Sequence, residues 1–263
     1  MYFKTISLNL YSVGHSSKPG HFPVYDLHDK DTPFRIAAMP PYINIHTHRP
    51  EADTVSILNI RLRSSDPDLP EQRLFSAGIH PWDASEAQSA WLEIFAAATH
   101  PGWVAVGETG LDFRPEYQPF GIQKKWFELQ IEIANRTDKP LIIHNVHATQ
   151  AVMDTLSKHA AVPVLLHGYT GSPESARQWL RHVPAVRFSF GPTLMRSPKS
   201  QATFRLLAAE EPERIFLETD DDPQTGIREM YRYAAELPGW NPNDLKNRLA
   251  LNFNNLFSKI TLL

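Results

Sequence analysis

In "YINIHTHRP", His46 and His48 stand one residue apart, directly after a short apolar run. Residues i and i+2 of a strand share a face, so the two imidazoles can hold one metal ion between them. Groups of the same type end later apolar runs. His80 follows "LFSAGI", Glu108 sits in "WVAVGET", and His144 in "PLIIHN". His167 sits in "VPVLLHG", and Glu218 and Asp220 close "RIFLETD". Imidazoles and carboxylates are the ligands of hard and borderline divalent ions. Singly, each has a structural explanation. His144 and His167 can be hydrogen-bonded core residues, His80 can fix the turn before Pro81, and Glu108 and Asp220 can cap loops. Recurrence at the same end of successive runs points instead to one shared cause, a metal centre. The remaining histidines (15, 21, 28, 100, 147, 159 and 182) read as structural or surface residues.

Eight short apolar, β-branched runs must position these groups: "YINIH", "VSILNIRL", "LFSAGIH", "WVAVGET", "PLIIHN", "VPVLLHG", "AVRFSFG" and "RIFLETD". Several lack strict alternation, as strands buried on both faces should. Helical patterns separate most of them. "SEAQSAWLEIFAAATH" opens on a Ser85 cap followed by Gln88. "QKKWFELQIEIANRTDK" sets Trp126, Leu129, Gln130 and Ile133 near one stripe. "HATQAVMDTLSKHA", "SPESARQWLRH", "SPKSQATFRLLAAEE", "TGIREMYRYAAEL" and "PNDLKNRLALNFNNLF" follow. Eight strand–helix units predict a parallel (β/α)₈ barrel with its chemistry at the C-terminal strand ends. A doubly wound open sheet is the alternative. Too little chain lies between His48 and Val55 for a crossover helix, and "RLRSSDPDLPEQR" is turn-rich. The first units are therefore expected to be distorted. Residues 1–40 read as an extension without its own core, and 41–263 as the barrel.

Bulk composition narrows the function classes. The 263 residues carry a net charge of −3, which gives no broad basic footprint for nucleic acid. There is no cysteine, so thiolate sites, disulfides and thiol redox chemistry are excluded. No run approaches a membrane span, and no signal-peptide pattern opens the chain, so the cytoplasm is the expected location. No obligate protein partner is inferred. "GYTGS" lacks the lysine of a phosphate-binding loop.

The ordered set "NIHTH", "GIHPW", "VGETGLDF", "QKKWFELQIEIA", "PLIIHN", "LLHGYTGS", "LETD" and "LALNFNNLF" resembles the TatD family of metal-dependent hydrolases, from Tyr42 to Phe257. The resemblance implies one or two divalent ions (Zn, Mg or Mn) and phosphodiester hydrolysis, commonly trimming of DNA from its 3′ end. By that resemblance His46 and His48 bind one metal, Glu108 bridges two, and His144 and His167 bind the second. Asp220 returns to the first metal and activates water, with Glu108 also catalytic, while His80 meets the substrate phosphate. The chain departs from the family at Asn44, where an Asp is usual. It also departs at Asn145-Val146-His147, where a small residue, Arg and an acid are usual, and at Asp221-Asp222-Pro223. Hydrolysis of a small amide, lactone or phosphoester is the alternative activity. A non-catalytic metal-binding protein is the third reading.

Overall fold

Residues that favour a pleated, buried surface fill the strands. The computed structural model of the protein describes residues 40–62, 73–87 and 100–257. Its strands are β1 (Tyr42–Thr47), β2 (Thr54–Arg61), β3 (Phe75–Gly78), β4 (Trp103–Asp112), β5 (Leu141–Val146), β6 (Val164–Leu166), β7 (Val186–Phe190) and β8 (Ile215–Leu217). All seven neighbouring pairs are parallel, in the order β1 to β8. A parallel bridge between Thr47 and Asp220 brings the two outer strands together. There the His48 N–H donates to the Asp220 carbonyl at 2.9 Å and the Asp220 N–H to the His46 carbonyl at 3.1 Å. The expected (β/α)₈ barrel is the architecture, and residues proposed for the metal make its seam.

The described α-helices are α1 (Phe120–Thr137), α2 (Thr149–His159), α3 (Pro173–His182), α4 (Pro198–Glu210), α5 (Ile227–Glu236) and α6 (Pro242–Leu256). Three of them start on the same local chemistry. Ser172, Ser197 and Asn241 accept from the backbone N–H groups of Ser175, Ser200 and Asn243, and a proline opens each helix. The side-chain oxygen satisfies an orphan N–H, and proline has none to lose. The helix expected in "SEAQSAWLEIFAAATH" and the extension 1–40 lie almost wholly outside the described residues, as does most of "RLRSSDPDLPEQR".

No helix joins β1 to β2. Six residues, 48–53, make the connection, as their number required. Glu51 in this segment accepts from the Ile227 N–H at 2.7 Å. A carboxylate at a helix N-terminus satisfies an orphan donor and complements the helix dipole. The shortened connection is thus tied to α5.

Alternate strand residues feed two apolar clusters. Leu141 and Ile143, Val164 and Leu166, and Ile215 and Leu217 pack in the cluster that contains the helices' buried faces, such as Phe127, Trp179, Phe204 and Met230. Ile142, Leu165 and Phe216, each between such a pair, join Ile43, Val55 and Ala105 against Phe253, Leu256 and Phe257. The first layer binds the helices to the sheet, and the second fills the space among the strands with the end of α6 against it. Gly110 lets β4 approach β5 beside the polar strand ends. Its φ is +138°, and a Cβ there would overlap the His144 carbonyl oxygen.

Candidate metal centre

The strand ends deliver His46 and His48 from β1, Glu108 from β4, His144 from β5, His167 after β6 and Asp220 after β8. Glu108 is the hub. Its Oε1 lies 2.6 Å from His167 Nε2, 2.7 Å from His144 Nδ1 and 3.2 Å from His80 Nε2. Its Oε2 faces His46 Nε2 at 3.6 Å and accepts from Asn59 Nδ2 at 3.2 Å. Asp220 Oδ1 lies 3.3 Å from His46 Nε2 and 3.5 Å from His48 Nε2. The i, i+2 imidazoles of "NIHTH" therefore do converge on one acceptor. Three groups each bring their donor atoms within 4.8 Å of one another: His46–His48–Glu108, His46–His167–Asp220 and His80–Glu108–His144.

His46 is the most informative member. It is fully buried, yet neither ring nitrogen is hydrogen-bonded. Nε2 is close to two carboxylates without hydrogen-bond alignment to either. Burying an imidazole without partners costs free energy. A divalent ion among His46, Glu108 and Asp220 removes that cost, so the residues present fit a metal.

The charges fit as well. Burial opposes ionisation of Glu108, but the His167 charge and hydrogen bonds from His144, His167 and His80 hold it well below the usual carboxylate range. Burial likewise opposes protonation of His167, yet Glu108 raises it well above the ordinary histidine value. His144 is raised against its burial by Asp112 and Glu108. Asp220 is lowered, against burial, by the closeness of the His46 and His48 rings to its carboxylate. Protons in the metal-free protein hold positions that cations would take.

His80 behaves differently. Its Nδ1 accepts from the Trp82 N–H at 3.1 Å, fixing the turn before Pro81. Burial pushes its pKa down to about 4, against the pull of Glu108. Neutral, with Nδ1 as acceptor, the ring must carry its proton on Nε2. That makes His80 a hydrogen-bond donor into the site. The turn before Pro81 thus sets the His80 ring beside Glu108.

Asn44, two residues before His46 on β1, has both ends of its amide bonded elsewhere. Its Nδ2 donates to Thr219 Oγ1 at 2.7 Å and its Oδ1 accepts from the Thr219 N–H at 3.1 Å. Thr219 lies two residues past β8, so the amide fastens the seam. Thr47 joins it there, 3.0 Å from Thr219 Oγ1.

Supporting residues to which the motifs assigned no role are now visible. Asp112 Oδ2 lies 3.1 Å from His144 Nε2 and accepts from Trp82 Nε1 at 2.7 Å. Its signal was present: an acid four residues after Glu108 in "VGETGLDF", an even spacing along a strand. Asn59 accepts from the Glu108 N–H at 3.1 Å while donating to its carboxylate. It is the polar interruption in "VSILNIRL". Glu218 Oε1 accepts from the Gly168 N–H at 2.8 Å and lies 3.4 Å from His167 Nδ1. Gln130 of α1 accepts from the Ile79 N–H at 2.7 Å and donates to Thr109 Oγ1 at 2.6 Å, holding the strand ends that carry His80 and Glu108. His100 and His182 bond local backbone groups, at Gly102 and Gln178 respectively, and stand outside the centre.

The family model described as TatD related DNase matches residues 67–258. The chain belongs to this family. It is 36% identical over 149 residues to the uncharacterized metal-dependent hydrolase YabD of Bacillus subtilis, covering 54% of this chain and 56% of that one. It is 29% identical over 172 residues to the human deoxyribonuclease TATDN3, covering 60% and 61%. The chain thus spans a little over half the length of these curated relatives. Among solved structures, the TatD homologue YjjV of Escherichia coli superimposes with a TM-score of 0.71 at 20% identity, covering 82% of this chain and 98% of that one. That likeness shows the barrel. Among the described residues, no helix is long and apolar enough to cross a membrane.

Proposed function

We propose that this TatD-family chain is a cytoplasmic, divalent-metal-dependent hydrolase of phosphodiester bonds, a deoxyribonuclease working from the 3′ end. The observation that carries the reading is the convergence of His46, His48, His144 and His167 on two carboxylates, with Glu108 offering one oxygen to each side. His46, His48 and Asp220 would hold one ion and His144 and His167 the other, with Glu108 between them. Zn, Mg and Mn all suit oxygen and imidazole ligands. When bound, such ions make water a better nucleophile at neutral pH and offset charge developing on a phosphoryl group. Relatives carrying deoxyribonuclease and exonuclease names support the substrate class.

The chain's own residues supply the rest. Asp220 is the candidate proton acceptor, because its side chain is 35% exposed at the mouth whereas that of Glu108 is 5% exposed. A carboxylate that opens to the substrate side can take a proton from attacking water at Oδ1 or Oδ2. His80 donates from Nε2 to a phosphate oxygen. Asp112 and Glu218 fix the rings of His144 and His167 from behind. Residues 41–263 form the catalytic unit, and removal of residues 1–40 leaves the chemistry in place.

Hydrolysis of a small amide, lactone or phosphoester by the same groups is favoured by one feature, the sequence Asn145-Val146-His147 in place of an arginine-bearing one. The test is a parallel assay of the full chain, metal-loaded, on 3′-labelled single-stranded DNA and on small esters, lactones and amides. Release of mononucleotides from the 3′ end is the expected result. Turnover of small substrates with intact DNA would favour the second reading. Metal uptake without any turnover would leave only a binding protein.

A further inference from the structure

Next to His80 the barrel mouth carries a group of rings and guanidinium planes that the proposed chemistry does not use. Trp82, 40% exposed, stacks on Tyr117 with centroids 5.1 Å apart and planes 11° from parallel. The guanidinium carbon of Arg114 lies 4.8 Å from the Tyr117 ring centre and 5.4 Å from that of Trp82. Arg61 lies 5.3 Å from the Trp82 ring centre. The group abuts the centre directly. The Trp82 ring is 4.5 Å from His80 and 5.8 Å from His144, centroid to centroid.

Both arginines are already held by carboxylates. Arg114 bonds Asp112 at 2.7 Å, and Arg61 makes two bonds to Asp83 at 2.7 and 2.8 Å. Their charge is largely answered within the protein, so the group is poorly suited to gripping a phosphate. What it offers is flat, immobilised, polarisable surface. Ordering these long side chains has been accomplished on folding, so a ligand that stacks on them loses little further side-chain entropy. Flat faces without a hydrogen-bonding code suit nucleobases of any identity.

Resting on the nuclease reading, we propose that Trp82 and Tyr117, flanked by Arg61 and Arg114, form a stacking subsite for a nucleobase of single-stranded nucleic acid. It seats the base of a nucleotide adjoining the scissile phosphate, with His80 between base and metal centre. Binding here is sequence-tolerant. It also compensates for a net charge of −3 and for Asn145-Val146-His147 carrying no arginine directly after His144.

The test uses the full-length, metal-loaded protein and two fluorescent oligothymidylates, one intact and one with tetrahydrofuran replacing the two bases nearest its 3′ end. Removing those bases should raise KM and the dissociation constant about tenfold, within the usual scale of base–aromatic stacking. Tyr117→Ala should weaken the intact oligonucleotide similarly and the abasic one by less than twofold. Tyr117→Phe, which retains the ring, should behave as wild type. Raising salt should leave the intact-to-abasic ratio unchanged. Equal KM for both oligonucleotides, with hydrolysis intact, overturns the subsite and keeps the nuclease. A base-dependent binding difference without any hydrolysis keeps the subsite and overturns the nuclease. Tyr117→Ala weakening both oligonucleotides equally also overturns the subsite, since it then acts only through the fold.

Discussion

Asp112 Oδ2 lies 3.1 Å from Nε2 of His144, while Nδ1 of the same ring points at Glu108 Oε1 from 2.7 Å. One nitrogen is thereby committed to a buried carboxylate and the other is left for the centre. A carboxylate behind a ligating imidazole fixes its tautomer and orientation and raises its basicity. Asp112→Ala should therefore weaken the ion held by His144 by about 10- to 100-fold. Calorimetric titration of Zn or Mn would show this as a loss confined to one of two binding steps. Unchanged affinity at both steps would mean that Asp112 serves only Trp82 and Arg114.

Much of this arrangement was legible in the chain. The eight strands and the missing β1–β2 helix follow from apolar runs and from counting residues. The groups that converge do so because each lies in the C-terminal half of a strand or just past it. What stayed hidden was which polar atoms meet across strands. Asn44 has the right spacing to face His46, yet its amide is taken by Thr219, 175 residues later. Asn59, 49 residues before Glu108, holds that residue through two bonds, one donated to its carboxylate and one accepted from its backbone N–H. Periodicity gives the face on which a side chain lies, but partners across a barrel seam depend on register. On the other side of β1, a bulge between Asn44 and Thr47 shifts its register against β2.

Asn44→Asp tests the role of this amide at the seam. The amide donates to Thr219 Oγ1 as well as accepting from its N–H. An Asp keeps the acceptor, loses the donor and places a charge in a fully buried position. The substitution should cost about 1–3 kcal/mol of stability, the usual scale for a disturbed buried polar pair. It should leave metal affinity within about twofold, since the side chain does not touch His46. Urea denaturation of the metal-free protein and metal titration check the two halves. A markedly tighter first ion would restore a direct role for residue 44 in holding His46.

Glu108→Ala removes the one carboxylate that faces both sets of imidazoles. Two divalent ions brought close without an anion between them repel strongly in a buried site. The expected outcome is loss of turnover and a fall from two bound ions to at most one. Metal analysis of dialysed protein reads the stoichiometry. A variant that retains two ions and a near-normal rate would show that Glu108 does not bridge.

The pH dependence of stability should reverse when metal is added. In the metal-free protein His144 and His167 are raised above the ordinary value near 6.5. Their contribution is complete below that value and is lost as pH rises through the folded values. His80 is lowered to about 4, so its neutral form favours the fold and that contribution grows as pH rises from about 4 to 6.5. The lowered Glu108 and Asp220 contribute above the ordinary carboxylate range, and that contribution is lost as pH falls through their folded values. Metal-free protein should therefore be most stable near pH 6.5 and weaken on the alkaline side. Metal binding requires the imidazoles to shed their protons, so metal adds more stability as pH rises. Thermal melts from pH 5 to 9, with chelator and with saturating Zn or Mn, should give a Tm difference that is small in acid and grows through the histidine range. A Tm difference independent of pH would mean that the raised histidines are not the groups the metal displaces protons from.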